Sequence, residues 1–345
     1  MPEVIEAGIA DRDNWMSFVS SRPEACLYHD YRWKDVLEES FGHKPSYLMA
    51  RDAGKTIGVL PLIFMDSRIM SPAFISLPFL NYGGMLARDG EAALSLLERA
   101  KGLVREKKAS YLEMRNTVKV DASLATREHK VTMTLALLGD AGSQWNGLDP
   151  KVRNQIRKAE RSGLRAVHGK GELLDSFYRI FSRNMRDLGT PVPGKAFFLN
   201  ILKYFPEEAG IFVVDLGGKP IGAGFTLSHK GTIEIPWASS LREYNKLCTN
   251  EFMYWEIIKF AVSKKMKIFD FGRCTKDSGT YRFKRQWEPQ VKQLYWQYWA
   301  QDEALLPQEA PHKGRFAFQV GLWKRLPLFL ANRLGPIVSK NITTF

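Results

Sequence analysis

The segment Ile268-Phe-Asp-Phe-Gly-Arg-Cys-Thr-Lys-Asp-Ser-Gly-Thr-Tyr-Arg-Phe-Lys-Arg-Gln-Trp287 carries the residue types best suited to chemistry. An apolar strand ends in Gly272-Arg273, and a glycine loop then delivers Tyr281, Phe283 and Lys284. Two cations and a phenol near one strand end suit a site that holds an anionic donor and stabilises charge during group transfer, because fixed donors aimed at developing charge are commonly the largest catalytic contribution. Lys284 is the candidate for stabilising an oxyanion or binding a donor phosphate, and Tyr281 for hydrogen-bonding substrate or protonating a leaving group. Asp270 and Glu113 are candidate bases for the proton of an attacking amine, or hydrogen-bonded structural carboxylates. Arg273 and Arg115 offer planar forks to anionic groups, or pair with those carboxylates.

These residues sit on elements that occur twice. Gly54-Lys-Thr-Ile-Gly-Val-Leu-Pro-Leu62 follows Ser46-Tyr-Leu-Met-Ala50, and Gly218-Lys-Pro-Ile-Gly-Ala-Gly-Phe-Thr226 follows Ile211-Phe-Val-Val-Asp215, so each pair predicts a hairpin around a glycine turn. Each is followed by an aromatic strand end, Asn81-Tyr-Gly-Gly84 or Ile235-Pro-Trp-Ala-Ser239. Helical segments over about residues 91–107 and 250–264 then end in lysine pairs, where cations suit a helix C-terminus. The closing strands, Ser110-Tyr-Leu-Glu-Met-Arg115 and Lys267-Ile-Phe-Asp-Phe-Gly-Arg273, both place a carboxylate mid-strand and an arginine near the end. Such long-period self-similarity is a domain duplication, and its element order implies two α/β units with mixed sheets. The expected division is 1–148, 149–302 and an amphipathic tail at 303–345.

The second unit opens on Asp149-Pro150, a helix start, and Gly163 is its stop. Between them Arg153, Arg157 and Arg161 recur at i, i+4 and i+8 beside Lys158, which makes one face cationic. That stripe suits a lipid pyrophosphate, a nucleotide-sugar phosphate or a tRNA backbone. Tyr82 with Gly83 and Gly84 admits a sugar or peptide close to the backbone, unless the glycines merely mark a bulge. Trp237, at the matching strand end of the second unit, is a further substrate-contact candidate.

The bulk properties agree with an enzyme of two domains. The 345 residues are 45% hydrophobic and 12% aromatic, enough for more than one core. Residues 1–150 hold 18 Lys and Arg against 20 Asp and Glu, whereas the remainder holds 32 against 17, so the whole +13 excess lies in the second part. This asymmetry favours polyanionic or membrane-surface partners, or serves solubility. Cys26, Cys248 and Cys274 have no paired or metal-type spacing, so reduced thiols and no metal site are expected. No apolar run is long enough to span a bilayer and the N-terminus lacks a signal pattern, which predicts a cytoplasmic protein. No Gly-x-Ser-x-Gly elbow occurs, which argues for direct attack by the acceptor rather than an acyl-enzyme.

The collinear motifs Ser40-Phe-Gly-His43, Pro78-Phe-Leu-Asn-Tyr-Gly-Gly84, Tyr111-Leu-Glu-Met-Arg-Asn116, the basic helix, Leu188-Gly-Thr-Pro191, Asn250-Glu-Phe-Met-Tyr-Trp255, Phe269-Asp-Phe-Gly-Arg273 and Gly279-Thr-Tyr-Arg-Phe-Lys284 span nearly the whole chain. In these it resembles the FemAB-like proteins with two tandem GNAT-type acyltransferase domains, most closely the branch beside exosortase/PEP-CTERM exopolysaccharide loci. The resemblance implies two GNAT folds and transfer of an acyl or aminoacyl group to an amine, with Phe283-Lys284 matching a phenylalanine-lysine pair near the transferring carbonyl. It implies acyl-coenzyme A or aminoacyl-tRNA as donor, no tightly bound cofactor, and a lipid-linked or nucleotide-linked sugar or peptide as acceptor. One departure is plain: GNAT enzymes cradle pyrophosphate on a glycine-rich turn at a helix N-terminus, and residues 239–250 contain no glycine. The alternatives are a tRNA-dependent peptidoglycan interpeptide-bridge transferase and a non-catalytic exopolysaccharide assembly factor. The tail from Gly314 to Gly335 mixes Trp, Phe and Leu with Lys324, Arg325 and Arg333, a composition of interfacial helices that contact the inner membrane peripherally, while Pro327 splits it into pieces short enough to dock back on the domains.

Overall fold

A computed structural model describes residues 2–67, 69–307 and 317–342, and residues 308–316 and 343–345 of the expected tail lie outside that description. The chain forms two compact units, the first from Met1–Lys130, Gln293–Ala310 and Val338–Phe345, the second from Val131–Lys292 and Pro311–Ile337.

In the first unit the strands Lys44–Asp52 and Lys55–Met65 form the expected hairpin. Its two turn residues, Ala53 and Gly54, both have positive φ (46° and 77°), the geometry that matches the twist of the flanking strands. The strand Ala73–Ser76, the helix Gly90–Glu106 and the strand Tyr111–Asn116 follow, and the two strands pair in parallel. Asp89 starts the helix by accepting from the Ala92 amide at 2.9 Å, and Lys107 and then Lys108, at φ 51°, end it.

The second unit repeats this order: a hairpin of Ala209–Leu216 and Lys219–His229 around Gly217 and Gly218, then Thr232–Ser240, the helix Thr249–Ser263 and Ile268–Asp270. Here too the strands on either side of the helix, Thr232–Ser240 and Ile268–Asp270, pair in parallel, and a lysine at positive φ, Lys265 (57°), follows the helix. The predicted duplication and the two mixed α/β layers are therefore present. Each unit buries its crossover helix on its own apolar cluster, Leu96, Leu97, Ala100, Leu103 and Val104 in the first and Phe252, Met253, Ile257, Ile258 and Ala261 in the second.

The repeats exchange strands. Tyr295–Trp299, late in the chain, lies antiparallel to Tyr111–Asn116 in the first sheet, and Lys130–Ala136 lies antiparallel to Ile268–Asp270 in the second. The division therefore falls at 130/131 and 292/293 and differs from the 148/149 and 302/303 read from the sequence. Alternating apolar residues reveal a strand and its buried face, but both sheets offer an equally apolar neighbour, so pattern alone does not choose between them. The expected separate tail is likewise divided, its helices Ala317–Arg325 and Leu328–Ser339 belonging almost wholly to the second unit.

Candidate active site

The second sheet opens at the end of its parallel pair. Thr232–Ser240 and Ile268–Asp270 pair from Thr232↔Ile268 to Glu234↔Asp270 and then separate, with the Phe271 amide donating to Met133 O at 2.9 Å on the other side. Pro236 has no N–H to give the ladder, and the strand bulges there, Phe225 standing opposite Trp237 but Leu227 opposite Glu234. A parted, bulged strand pair leaves main-chain polar groups that a substrate carbonyl can engage.

Thr132, Asp270 and Glu234 form a buried polar row across three adjacent strands, opposite the face that carries Val131, Met133, Ile233, Ile235, Phe269 and Phe271. Asp270 Oδ1 accepts from Thr132 Oγ1 at 2.7 Å and from the Gly272 amide at 2.8 Å. The second bond fixes the turn at Gly272, whose φ of 68° suits glycine. Sequence inspection missed Thr132 and Glu234, because Thr132 arrives on the exchanged strand and no local motif marks either residue.

Lys284 lies in the helix Gly279–Arg285, where a loop was expected. Ser278 caps that helix, accepting from the Tyr281 amide at 3.1 Å, and the helical turn sets Tyr281 and Lys284 three residues apart on neighbouring positions. Lys284 is 3% exposed, and its Nζ donates to Gly272 O at 2.7 Å and Arg273 O at 3.1 Å. The ammonium thus clamps the main chain at the open strand end instead of facing solvent, which corrects the expectation of direct substrate contact. Phe283 is half-buried and meets Tyr254 edge-on at 5.1 Å. Tyr254, unremarked in the sequence, also stacks on Phe271 at 5.7 Å, so it anchors the Lys284 helix to the strand end.

Burial pushes the Lys284 pKa below the ordinary 10.5, while Cys274, Asp270 and Glu234 pull it back and Arg273 opposes them. Between the lowered folded value and 10.5 the unfolded chain binds the extra proton, so stability rises with pH across that window and the full burial cost remains below it. The stability of the wild type relative to Lys284→Met is therefore expected to increase as pH is raised from neutral towards 10.5, in paired thermal melts. A difference that stays flat with pH would remove the buried-lysine assignment.

The remaining candidates divide. Arg273 and Tyr281 are half-buried and flank the Lys284 clamp along the chain. Trp237 is boxed by Phe197, Phe198 and Phe225 at 5.6, 5.2 and 5.7 Å, a packing role. In the first unit Arg115 is 0% exposed: its Nε donates to Glu113 Oε1 at 2.8 Å, its Nη1 to Leu80 O at 3.3 Å, and its guanidinium lies 4.4 Å from the Trp296 ring centroid. It pairs with its own carboxylate and presents no fork to a ligand, which corrects the expected substrate contact. Tyr82 is 7% exposed and packs edge-on against Tyr28 at 5.2 Å.

Gly83, at φ 133°, and Gly84 are demanded by close packing. A Cβ on Gly83 would meet Leu77 Cδ1 at 2.6 Å, and one on Gly84 would meet Asn116 Oδ1 at 1.9 Å. Asn116 Oδ1 accepts from the Met85 amide at 3.0 Å, so Gly84→Ala is expected to cost about 1–3 kcal/mol through overpacking, measured by urea unfolding. A loss near zero would show that this loop yields freely.

The basic stripe forms as expected. In the helix Pro150–Arg161, Val152, Ile156 and Ala159 face the core while Arg157, Lys158 and Arg161 are exposed and Arg153 is half-buried. Arg157 lies over Trp145 at 5.3 Å, and among the described residues no carboxylate pairs with these four cations. The helix packs against the helix Thr249–Ser263 and the turn Arg242–Leu247 that precedes it, where Arg242 and Lys246 are also exposed. Cys248, at φ 59°, takes the left-handed position before Thr249 that a glycine would fill without strain. Arg242 and Lys246 thus precede a helix N-terminus, with Glu251 in its first turn, and a helix N-terminus suits an anion despite the missing glycines.

Residues 150–285 match the family described as acetyltransferase (GNAT) domain. The fold is a tandem GNAT fold. The crystal structure of FemX superposes with a TM-score of 0.65 at 15% identity, covering 85% of this chain and 96% of that one. A tandem GNAT protein from the clavulanic acid biosynthesis pathway gives 0.57 at 11% identity over 90% and 100% of the two chains. L-PGS from Bacillus licheniformis gives 0.52 at 11% identity over 89% and 97%. No curated protein matches this chain in sequence. Among the described residues, no three His, Cys, Asp or Glu side chains converge as a metal site, and no helix is long and apolar enough to cross a membrane.

Proposed function

We propose that this chain is an N-acyltransferase that moves an acyl or aminoacyl group from acyl-coenzyme A or aminoacyl-tRNA to an amine of a cell-envelope or exopolysaccharide precursor, the acceptor being a lipid-linked or nucleotide-linked sugar or peptide. The observation that carries this reading is the buried Lys284 clamped to Gly272 O and Arg273 O at the open strand end, within the stretch that matches the acetyltransferase domain.

The amine nitrogen attacks the donor carbonyl, the carbonyl oxygen becomes an oxyanion, and collapse breaks the bond to the thiolate or ribose oxygen, which takes up the proton that the amine nitrogen loses and leaves as the thiol or hydroxyl. Main-chain donors of the parted strands receive the oxyanion, and the Lys284 charge behind Gly272 and Arg273 strengthens that field where water is excluded. Lys284 is thus a positioning residue. Asp270 holds the Gly272 turn, with Oδ1 already occupied by two donors, so it serves the same positioning role in place of the base expected from sequence. Arg273 and Tyr281 contact substrate, and Arg153, Arg157, Lys158 and Arg161 recruit the anionic donor. The closed Glu113–Arg115 pair supports a structural role for the matching strand end of the first unit.

Incubating purified protein with acyl-coenzyme A and charged tRNA pools, with mass-spectrometric detection of donor loss and modified amine, tests the reading. Consumption of either donor supports it and identifies the donor. Failure with both, in the presence of acceptor extracts, favours the non-catalytic assembly factor.

A further inference from the structure

The helices Ala317–Arg325 and Leu328–Ser339 belong to the second unit as far as Ile337. Val320 packs on Gly189, where an added Cβ would stand 2.5 Å from Val320 Cγ1, and Arg186 Nη1 donates to Leu326 O at 2.7 Å. Further along, Ala331 is 3% exposed, and a Cβ on Gly335 would stand 3.0 Å from Val192 O. The docked side therefore runs through 320, 331 and 335.

Two positions away, about 200° around a helix of 3.6 residues per turn, run Phe318 and Leu322, then Phe329, Arg333 and Ile337. Phe318 is 78% exposed, Phe329 71%, Leu322 and Ile337 57% each, and Leu334 41%. Residues 317–337 contain Lys324, Arg325 and Arg333, all exposed, and no Asp or Glu. The sequence left docking and interfacial binding as alternatives; the structure shows a docked side, which includes the Lys324 stem (Cε 3.1 Å from a Cβ on Gly189), and an exposed apolar side flanked by Arg325 and Arg333.

We infer that this outward side is a membrane-surface element for a bilayer carrying anionic lipid. Large apolar side chains left in water on two short helices mark an interaction surface, and the charge names the occupant: Arg325 and Arg333, with the exposed Lys324 at the margin and no Asp or Glu among residues 317–337, complement anionic headgroups. The phenylalanines and leucines reach the boundary of headgroups and acyl chains while the cations stay among the phosphates. Neither helix is long and apolar enough to cross. This assignment is independent of the transfer reaction.

The test uses the full chain and sedimentation with vesicles of phosphatidylcholine, alone or mixed two-to-one with phosphatidylglycerol. The chain is expected to bind the mixed vesicles and to bind pure phosphatidylcholine far more weakly. Phe318→Ser/Phe329→Ser is expected to weaken partitioning about tenfold or more by removing the buried rings. Lys324→Gln/Arg325→Gln/Arg333→Gln is expected to abolish the preference for phosphatidylglycerol and flatten the salt dependence. All changes are on exposed positions, and unchanged circular dichroism melts confirm folded variants. Binding that ignores phosphatidylglycerol, or that the double serine variant retains in full, overturns the inference. So does a wild-type dimer in light scattering that the serine variant dissociates, which would make a second copy the occupant.

Discussion

Lys284→Met is expected to lower transfer turnover by about 10²–10³-fold, the loss seen when a preorganised electrostatic contribution is removed, while the chain stays folded. The side chain is 3% exposed and donates to two main-chain carbonyls at the strand end where the proposed donor carbonyl lies. Methionine keeps the volume and removes the charge and both bonds. Burial already disfavours the Lys284 ammonium, so its removal relieves a cost that partly offsets the two lost hydrogen bonds. Turnover and melting temperature should therefore separate: a large fall in kcat, a small change in donor KM and a modest shift in melting temperature. Parallel loss of activity and fold would reduce Lys284 to a structural residue, and full activity would remove it from the mechanism.

Glu113→Ala is expected to be the most damaging single change to stability, at about 3–5 kcal/mol, because removing one partner of a buried ion pair strands the other. Arg115 is 0% exposed and Glu113 2%, and the pair closes at 2.8 Å in the centre of the first sheet. Without Glu113 the buried guanidinium loses its carboxylate while the Leu80 carbonyl and the Trp296 face remain. The double variant Glu113→Leu/Arg115→Met should recover most of the loss, since apolar residues of similar volume replace a buried pair well. Urea unfolding of the single and double variants gives the coupling directly. Equal losses in the two would mean that packing, not charge, governs the site.

The elements were legible wherever local chemistry is strong. Glycine turns at Gly54 and Gly217-Gly218, the Asp149-Pro150 helix start, the paired crossover helices and the basic stripe all depend on neighbours within a few residues. The resemblance to tandem GNAT proteins likewise rested on collinear short motifs, and the fold agrees. What local pattern cannot carry is the identity of a distant partner. Tyr295–Trp299 is aromatic-rich as strands commonly are, yet nothing in it names Tyr111–Asn116 as its neighbour. Thr132 has no motif, yet it supplies a hydrogen bond to Asp270.

The residue types at the site were therefore determined by sequence, and their roles by tertiary contacts. Glu113-Met-Arg115 and Asp270-Phe-Gly-Arg273 look alike as text, each a carboxylate followed by an arginine. In the first, a two-residue spacing on one strand face brings Arg115 back onto Glu113 beneath Trp296, and the charges cancel in the core. In the second, Gly272 turns the chain, so Arg273 leaves that face while Thr132 and the Gly272 amide take Asp270 and Lys284 fills the space behind. One glycine, a threonine from a distant strand and a lysine from the next helix separate a closed strand end from an open one. Burial decides the rest: the same lysine that would be a solvated cation on a loop becomes, within a helix packed on Tyr254 and Phe271, a charge fixed in a dry place.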